Sequence, residues 1–230
     1  MESIKFAIFD IAGTTATDDG LVVKAFVDAA HEVLLFESES ELSTMVSYVN
    51  ETMGMRKMDV FMHLTKGDEK LAALTHEHFV NAYNRLVSAG ELQEFPGISE
   101  LFHQLRAAGI GVGLTTGFPR ELLNSILSRL NWRDAIDVSV ASDEVTHGRP
   151  HPDMIFRAMD VYANLSNQEI APENIVVIGD TESDMQAGVS AGARKVIGVT
   201  SGAHKKDQLI AAGASDVIAF STEIFSVINL

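Results

Sequence analysis

The sequence predicts an α/β protein: a doubly wound parallel sheet with an all-α segment inserted after its first strand. Three observations predict this. Short, continuously apolar runs alternate with helical stretches from residue 98 onward, as expected for strands buried on both faces of a parallel sheet. Residues 20–89 carry helical spacing with no convincing strand among them. The polar residues Asp10, Thr115, Thr116 and Asp180 fall where strands end, and ligands of such sheets bind at the carboxyl ends of strands.

The elements follow in order. Residues 4–9 (IKFAIF) read as a short buried strand, and residues 11–15 as a Gly- and Thr-rich loop. Residues 22–35, 39–49, 57–64 and 70–86 have the spacing of four helices. Phe95-Pro96-Gly97 is a break. Beyond it come a helix at 98–108, a strand at 111–114 and a helix at 120–130. An apolar stretch at 136–141 and a helix at 154–162 follow, then strands at 175–178, 195–199 and 216–220. The expected division is a core of residues 1–17 and 92–230, with a helical cap of residues 18–91 hanging over the strand ends.

Bulk properties narrow the function. The 230 residues are 46% hydrophobic and 21% charged, with a formal net charge of −15. That charge opposes binding to nucleic acid and to anionic membranes, so neither is an expected partner. A small anionic substrate remains open if a local cation overrides the field. With no cysteine, thiol nucleophiles, thiolate metal sites and disulfides are excluded. No apolar run approaches the ~18 residues of a membrane span, and the first ten residues lack a signal-peptide pattern. A cytoplasmic enzyme is the default expectation.

The chemistry-bearing pattern is acidic. Asp180 and Asp184 lie one helical turn apart, so a helix starting just after the strand brings them to one side. Asp10 ends another strand, and three carboxylates then converge. Each like-charge pair at about 4 Å costs about 4 kcal/mol at an effective dielectric of about 20. Mg²⁺ would resolve the repulsion, because it prefers carboxylates, water and phosphate oxygens, and it would let an anionic nucleophile approach a phosphoryl group. Taken alone, Asp180 reads equally well as a helix cap, and Glu182 reads better as a solvated first-turn acid. Arg149, in His147-Gly148-Arg149-Pro150-His151-Pro152, offers forked donors for phosphate oxygens. Thr115 and Thr116 supply hydroxyls, one for phosphate and one as a structural cap. His147 and His151 read as loop residues.

In this order the motifs resemble the haloacid dehalogenase superfamily. Asp10-Ile11-Ala12-Gly13-Thr14-Thr15 is similar to its first motif, Thr116 to the second, Arg149 to the third and residues 179–184 (GDTESD) to the fourth. The resemblance covers the whole chain. It implies Asp10 as the nucleophile, a Mg²⁺ held by Asp10, Asp180, Asp184 and the Ala12 backbone carbonyl, and Thr116 and Arg149 on the phosphoryl group. Most phosphatases of the superfamily carry an acid where this chain has Ala12, and Lys where it has Arg149. Both departures are features of the phosphonoacetaldehyde hydrolases (phosphonatases). Met53-Gly54-Met55-Arg56-Lys57-Met58-Asp59 resembles their cap segment, which implies that Lys57 forms a Schiff base with the substrate aldehyde. The resemblance also suggests a cap-to-cap homodimer.

The chemistry explains the combination. An alkoxide leaving group benefits from an acid beside the nucleophile. P–C cleavage instead leaves a carbanion, whose electrons an iminium on Lys57 would absorb as an enamine, and Ala12 is then tolerated. Lys57 has to be neutral for this, at a cost of about 5 kcal/mol at pH 7 for an unperturbed amine. Burial and the neighbouring Arg56 would lower that cost. The chain departs from the phosphonatase pattern at Val60, where His is expected, with His63 a turn further on. It departs again at Phe118, where Tyr is expected, and at Asp18-Asp19-Gly20-Leu21, which lacks a Cys. Met53, Met55, Met58 and Met62 are expected to pack the cap or line its pocket. The expected substrate is a small phosphonate or phosphorylated metabolite. The alternatives are a phosphate-monoester phosphatase using the same Asp10 and Mg²⁺, and a non-catalytic binding protein.

Overall fold

The computed structural model describes residues 3–228. Strand β1 (Phe6–Phe9) is fully buried and lies at the centre of a six-stranded sheet. Four helices follow it without an intervening strand: α1 (Leu21–Glu32), α2 (Glu39–Glu51), α3 (Lys57–Leu64) and α4 (Glu69–Ala89). The chain then alternates through α5 (Ile98–Ala107), β2 (Gly111–Thr116), α6 (Arg120–Arg129), β3 (Val138–Ala141), α7 (Asp153–Ser166), β4 (Ile175–Gly179), α8 (Glu182–Ser190), β5 (Lys195–Val199), α9 (Lys206–Ala211) and β6 (Asp216–Ile218). All strand pairs are parallel, in the order β3-β2-β1-β4-β5-β6.

This order places the site. β1 pairs with β2 on one side and β4 on the other, with Phe9 opposite both Leu114 and Ile178. The chain reverses its direction of winding at β1 and β4, and the crevice at such a switch point is where doubly wound sheets bind ligands. Asp10 and Asp180 immediately follow these two strands.

The alternation of side chains along β1 builds two cores. Ala7 and Phe9 join the cluster containing α5 and α6, while Phe6 and Ile8 join the cluster containing α7 and part of α8. The inserted helices share the first of these cores. Phe26 of α1 stacks at 6.3 Å on Phe61 of α3, Phe61 meets Phe79 of α4 edge-on at 5.5 Å, and Tyr83 lies 4.7 Å from Phe118 of the sheet domain. A run of aromatic rings therefore ties the insertion to the loop after β2.

Several expected elements are shorter than their apolar runs. α1 stops at Glu32 rather than residue 35, because Leu34 adopts a left-handed φ of 53° and stands 85% exposed. Its apolar side chain fits the helical spacing, yet no neighbour covers it. The apolar stretch 136–141 forms a strand only from Val138. β6 ends at Ile218 rather than residue 220; as an edge strand it has only β5 to bond to, and a 3₁₀ segment (Ser221–Ser226) follows.

Candidate active site

Asp10, Asp180 and Asp184 offer carboxylate oxygens within 4.8 Å of one another, and all three residues are buried. Each is held by its own local structure. Asp10 continues the β1 line, its N–H donating to Ile178 O at 2.9 Å and its carbonyl accepting from Thr15 Oγ1 at 3.0 Å. Asp180 accepts from Thr14 Oγ1 at 3.0 Å through one oxygen and from the Ala203 N–H at 2.7 Å through the other. Gly13 presses against it with φ of 87°, and a Cβ at that position would collide with the Asp180 carboxylate. Asp184 is the third residue of α8. Thr181 caps that helix, accepting the Asp184 N–H at 3.3 Å, while Asp184 Oδ2 takes the Thr181 N–H at 3.1 Å and hydroxyl at 2.5 Å. This reciprocal box makes Thr181, rather than Asp180, the N-cap, and frees Asp180 to face the crevice.

Arg149 sits behind the cluster, 3% exposed. Its Nη2 donates to Asp10 Oδ1 at 2.7 Å and its Nη1 pairs with Asp184 Oδ1. Thus a guanidinium already offsets part of the repulsion that the sequence assigns wholly to a divalent cation. Burial works against the Arg149 charge, but Asp184 and Asp10 outweigh it and raise its pKa. The compensation is incomplete. Burial pushes Asp10 up to about 7, with Arg149 opposing and Asp184 reinforcing the shift. Asp180 is raised well above the usual carboxylate range by burial and then by Asp10 and Asp184. A cluster that resists losing its protons by itself is one that an added cation would relieve. Its donors are hard oxygens suited to Mg²⁺. The Ala12 carbonyl accepts no backbone hydrogen bond from any described residue and remains available as a further ligand. The residues present fit the metal.

A cavity of about 400 Å³ opens over the cluster, lined at its floor by Asp10, Ala12, Thr116 and Asp180 and at its roof by Lys57 and Met53. Thr116 Oγ1 accepts the Phe118 N–H at 3.3 Å, which leaves its hydroxyl proton free to donate. Thr115 is buried beside it. The insertion is closed down on the sheet. The Lys57 N–H, an orphan donor at the start of α3, donates to Gly117 O at 3.2 Å, and Arg56 Nη1 reaches Thr146 O at 3.2 Å. Gly54, with φ of 82°, lies so close to Thr181 that a Cβ would collide with its hydroxyl.

Lys57 is the unusual residue. It is 6% exposed, and its ammonium nitrogen forms no ion pair or hydrogen bond with any described residue; the Phe118 ring lies 5.8 Å beneath it. Burial lowers its pKa to about 8, with Asp18 opposing and Arg149 adding to the shift. The cation that assists is therefore Arg149 rather than the adjacent Arg56, whose guanidinium turns away toward Thr146.

Other expected residues lie elsewhere. Val60 is buried in the apolar core. His63 stacks on Tyr48 at 4.2 Å and lines a separate groove of the insertion, so it does not take the place of a histidine at position 60. His147 pairs with Asp153 in an exposed loop. Met55, Met58 and Met62 pack against the core, and only Met53 of that group lines the cavity. Glu182 is a half-exposed first-turn acid that accepts from Gln208. Two contributors have little sequence signal: Asp18, facing Lys57, and the 201–203 loop that grips Asp180. Asp18 is legible only as an acid just before a helix; the loop is legible only as the segment after β5.

Comparison with known proteins agrees with this geometry. The family model described as haloacid dehalogenase-like hydrolase matches residues 7–199. A phosphonoacetaldehyde hydrolase of Bacteroides fragilis is 27% identical, with 100% of this chain and 97% of the relative covered. A phosphoglycolate phosphatase of Yersinia pestis is 25% identical, with 100% and 95% covered. Among solved structures, a hydrolase from Pseudomonas syringae superposes with a TM-score of 0.81 at 23% identity, covering 97% of this chain and 96% of that one, a likeness of fold. No helix among the described residues is long and apolar enough to cross a membrane. With a buried carboxylate at the switch point, two further buried carboxylates beside it, and a family match over most of its length, the chain belongs to the haloacid dehalogenase-like hydrolases.

Proposed function

We propose that this hydrolase cleaves the P–C bond of phosphonoacetaldehyde or a closely related carbonyl phosphonate, with Mg²⁺, a Schiff base on Lys57 and an aspartyl-phosphate on Asp10. The observation that carries the reading is Lys57: a buried amine without a hydrogen-bond or ion-pair partner among the described residues, facing the same cavity as Asp10. With its pKa lowered to about 8, deprotonation at pH 7 costs about 1 kcal/mol instead of about 5. A lysine that only attracted phosphate by charge would gain nothing from a site that disfavours its charged form.

The Lys57 amine condenses with the aldehyde and water leaves, giving an iminium. An Asp10 carboxylate oxygen attacks phosphorus, the P–C bond breaks, and its electron pair passes into the iminium to form an enamine. A proton returns to the enamine carbon, and water releases the aldehyde from Lys57. A second water cleaves the aspartyl-phosphate. Thr116 donates its free hydroxyl proton to a phosphonyl oxygen, and Arg149 holds Asp10 in place and supplies positive charge beside it. Bound at Asp10, Asp180, Asp184 and the Ala12 carbonyl, Mg²⁺ would neutralise phosphonyl charge so that an anionic nucleophile can approach. Residues 18–91 act as the cap that closes over the substrate. Borohydride added with phosphonoacetaldehyde and Mg²⁺ is expected to fix a covalent adduct on Lys57, read by peptide mass. No mass increase there overturns the reading.

A phosphate-monoester phosphatase is the second reading. It is favoured by Val60 and His63, which leave α3 without an imidazole in the cavity. It expects ester turnover that needs Asp10 but survives loss of the Lys57 amine; turnover abolished by Lys57→Ala with binding intact removes it.

A further inference from the structure

Forming an iminium moves several protons, and the cavity contains few groups able to move them. Among the described residues that line it, the titratable side chains besides Lys57 are Asp10, Asp180, Asp18 and Asp19; no histidine does. Asp10 and Asp180 are engaged at the phosphoryl end by Arg149, Thr14 and Ala203. Asp19 is exposed at the rim. Asp18 remains. One of its carboxylate oxygens accepts the Val22 N–H at 3.3 Å, which fixes the side chain at the start of α1. The Gly20 N–H also bonds the carboxylate, and no side chain of a described residue donates to it. Lys57 comes from α3 on the opposite wall, and the two groups face one cavity without forming an ion pair. A carboxylate fixed by backbone N–H groups alone, facing an amine that has no hydrogen-bond or ion-pair partner among the described residues, is suited to trade protons with whatever forms between them.

We propose that Asp18 is the proton acceptor and donor for Schiff-base formation at Lys57. The proposal rests on the phosphonatase reading above and assigns a residue that reading leaves open. Asp18 takes a proton from the Lys57 ammonium, and the freed amine adds to the carbonyl carbon. The Asp18 acid protonates the resulting alkoxide, then as carboxylate removes a proton from the nitrogen. Finally it returns that proton to the hydroxyl, which departs as water and leaves the iminium. Three ammonium protons end as one on the iminium and two on water, and Asp18 is regenerated. Burial raises the Asp18 pKa, with the Val22 N–H and then Lys57 opposing, so the acid form needed midway is accessible. The charged or titratable groups acting on this pair are Asp19 beside Asp18, Tyr83 from α4, and Arg149, Asp10 and Asp180 below Lys57.

The test compares wild type, Asp18→Asn and Asp18→Glu for the rate at which borohydride and phosphonoacetaldehyde label Lys57. Asn keeps the acceptor for Val22, so the turn is preserved; thermal melting and inhibition by inorganic phosphate with Mg²⁺ check the fold and the phosphoryl end. We expect labelling to slow at least about 100-fold in Asp18→Asn, to recover substantially in Asp18→Glu, and phosphate inhibition to stay unchanged. Equal labelling rates in wild type and Asp18→Asn overturn the role of Asp18 and leave the phosphonatase reading standing. An unlabelled wild type overturns both.

Discussion

The two ends of the cavity are built in opposite ways. At the sheet end, the carboxylates of Asp10, Asp180 and Asp184 are each held by donors from a neighbouring loop, helix cap or guanidinium. At the cap end, the Lys57 amine has no hydrogen-bond or ion-pair partner among the described residues, and Asp18 is held by backbone N–H groups alone. Satisfied groups fix a geometry that any phosphoryl substrate can use. In the proposed function, the carbonyl end of the substrate would supply the partner that the described residues do not give the Lys57 amine. In that reading the sheet end handles the phosphoryl group and the cap end selects the rest of the substrate.

Mutating each end breaks that contrast most directly. Asp10→Asn is expected to lower phosphate release from every substrate by at least about 10⁴-fold, because the nucleophile is lost whichever reading holds. Residual Mg²⁺-dependent turnover within tenfold of wild type would remove Asp10 from the chemistry. Lys57→Arg keeps a cation but cannot form an imine, so it is expected to cost about 10³-fold on phosphonoacetaldehyde and less than about tenfold on any phosphate ester that the enzyme turns over. Equal losses on both would mean that the cap end is not substrate-specific.

A pH series sharpens the contrast. The folded chain keeps the Asp10 proton to about pH 7, whereas the unfolded chain releases it near 3.8. The folded state thus binds more protons between these values, and metal-free stability contributed by this group is present below 3.8 and lost as pH rises to about 7. Mg²⁺ replaces the proton, so its upward shift of the melting temperature is expected to be larger at pH 8 than at pH 5. For Lys57 the order is reversed: the folded pKa of about 8 lies below the 10.5 of a solvated lysine. The unfolded state binds more protons in that window, and stability from this group rises with pH from about 8 to 10.5. On the activity side, phosphonate turnover is expected to climb with pH toward a shoulder near 8, a shoulder absent from ester hydrolysis.

The smallest effect is expected at the join between the ends. Gly54→Ala forces a Cβ toward the Thr181 hydroxyl at a left-handed backbone position. It should cost about 1–2 kcal/mol of closure, seen as a higher KM, with aspartyl-phosphate chemistry on a small ester little changed. An unaltered KM would mean that the closed contact does not matter to binding.

Much of the sheet end was legible in the sequence, because it is built from local rules. A buried strand has to end in a polar loop, and an acid one helical turn after another lands on the same face. Those rules single out Asp10, Asp180 and Asp184 as candidates, although Asp180 lies just outside α8 and meets Asp184 across the turn that Thr181 caps. The four helices of the insertion were likewise readable from their spacing, apart from the last turn of α1, where Leu34 has no neighbour to bury it. The cap end was less legible. His63 is one turn beyond position 60, and sequence spacing could not show that its ring stacks on Tyr48. Arg56 is adjacent to Lys57 in the chain but points away from it, while Arg149, distant in sequence, supplies the nearby charge.

The sequence carries the alternation of strands and helices, the place of the insertion and the three acidic candidates in patterns of a few residues, whereas the convergence of Asp10 with the other two depends on β1 pairing with β4. Only the tertiary structure decided that Arg149 bridges Asp10 and Asp184, that the 201–203 loop grips Asp180, and that Lys57 is buried opposite Asp18. Those facts depend on how the helical insertion settles on the sheet. Packing between segments distant along the chain fixes that placement, together with the burial that sets the charge of an amine.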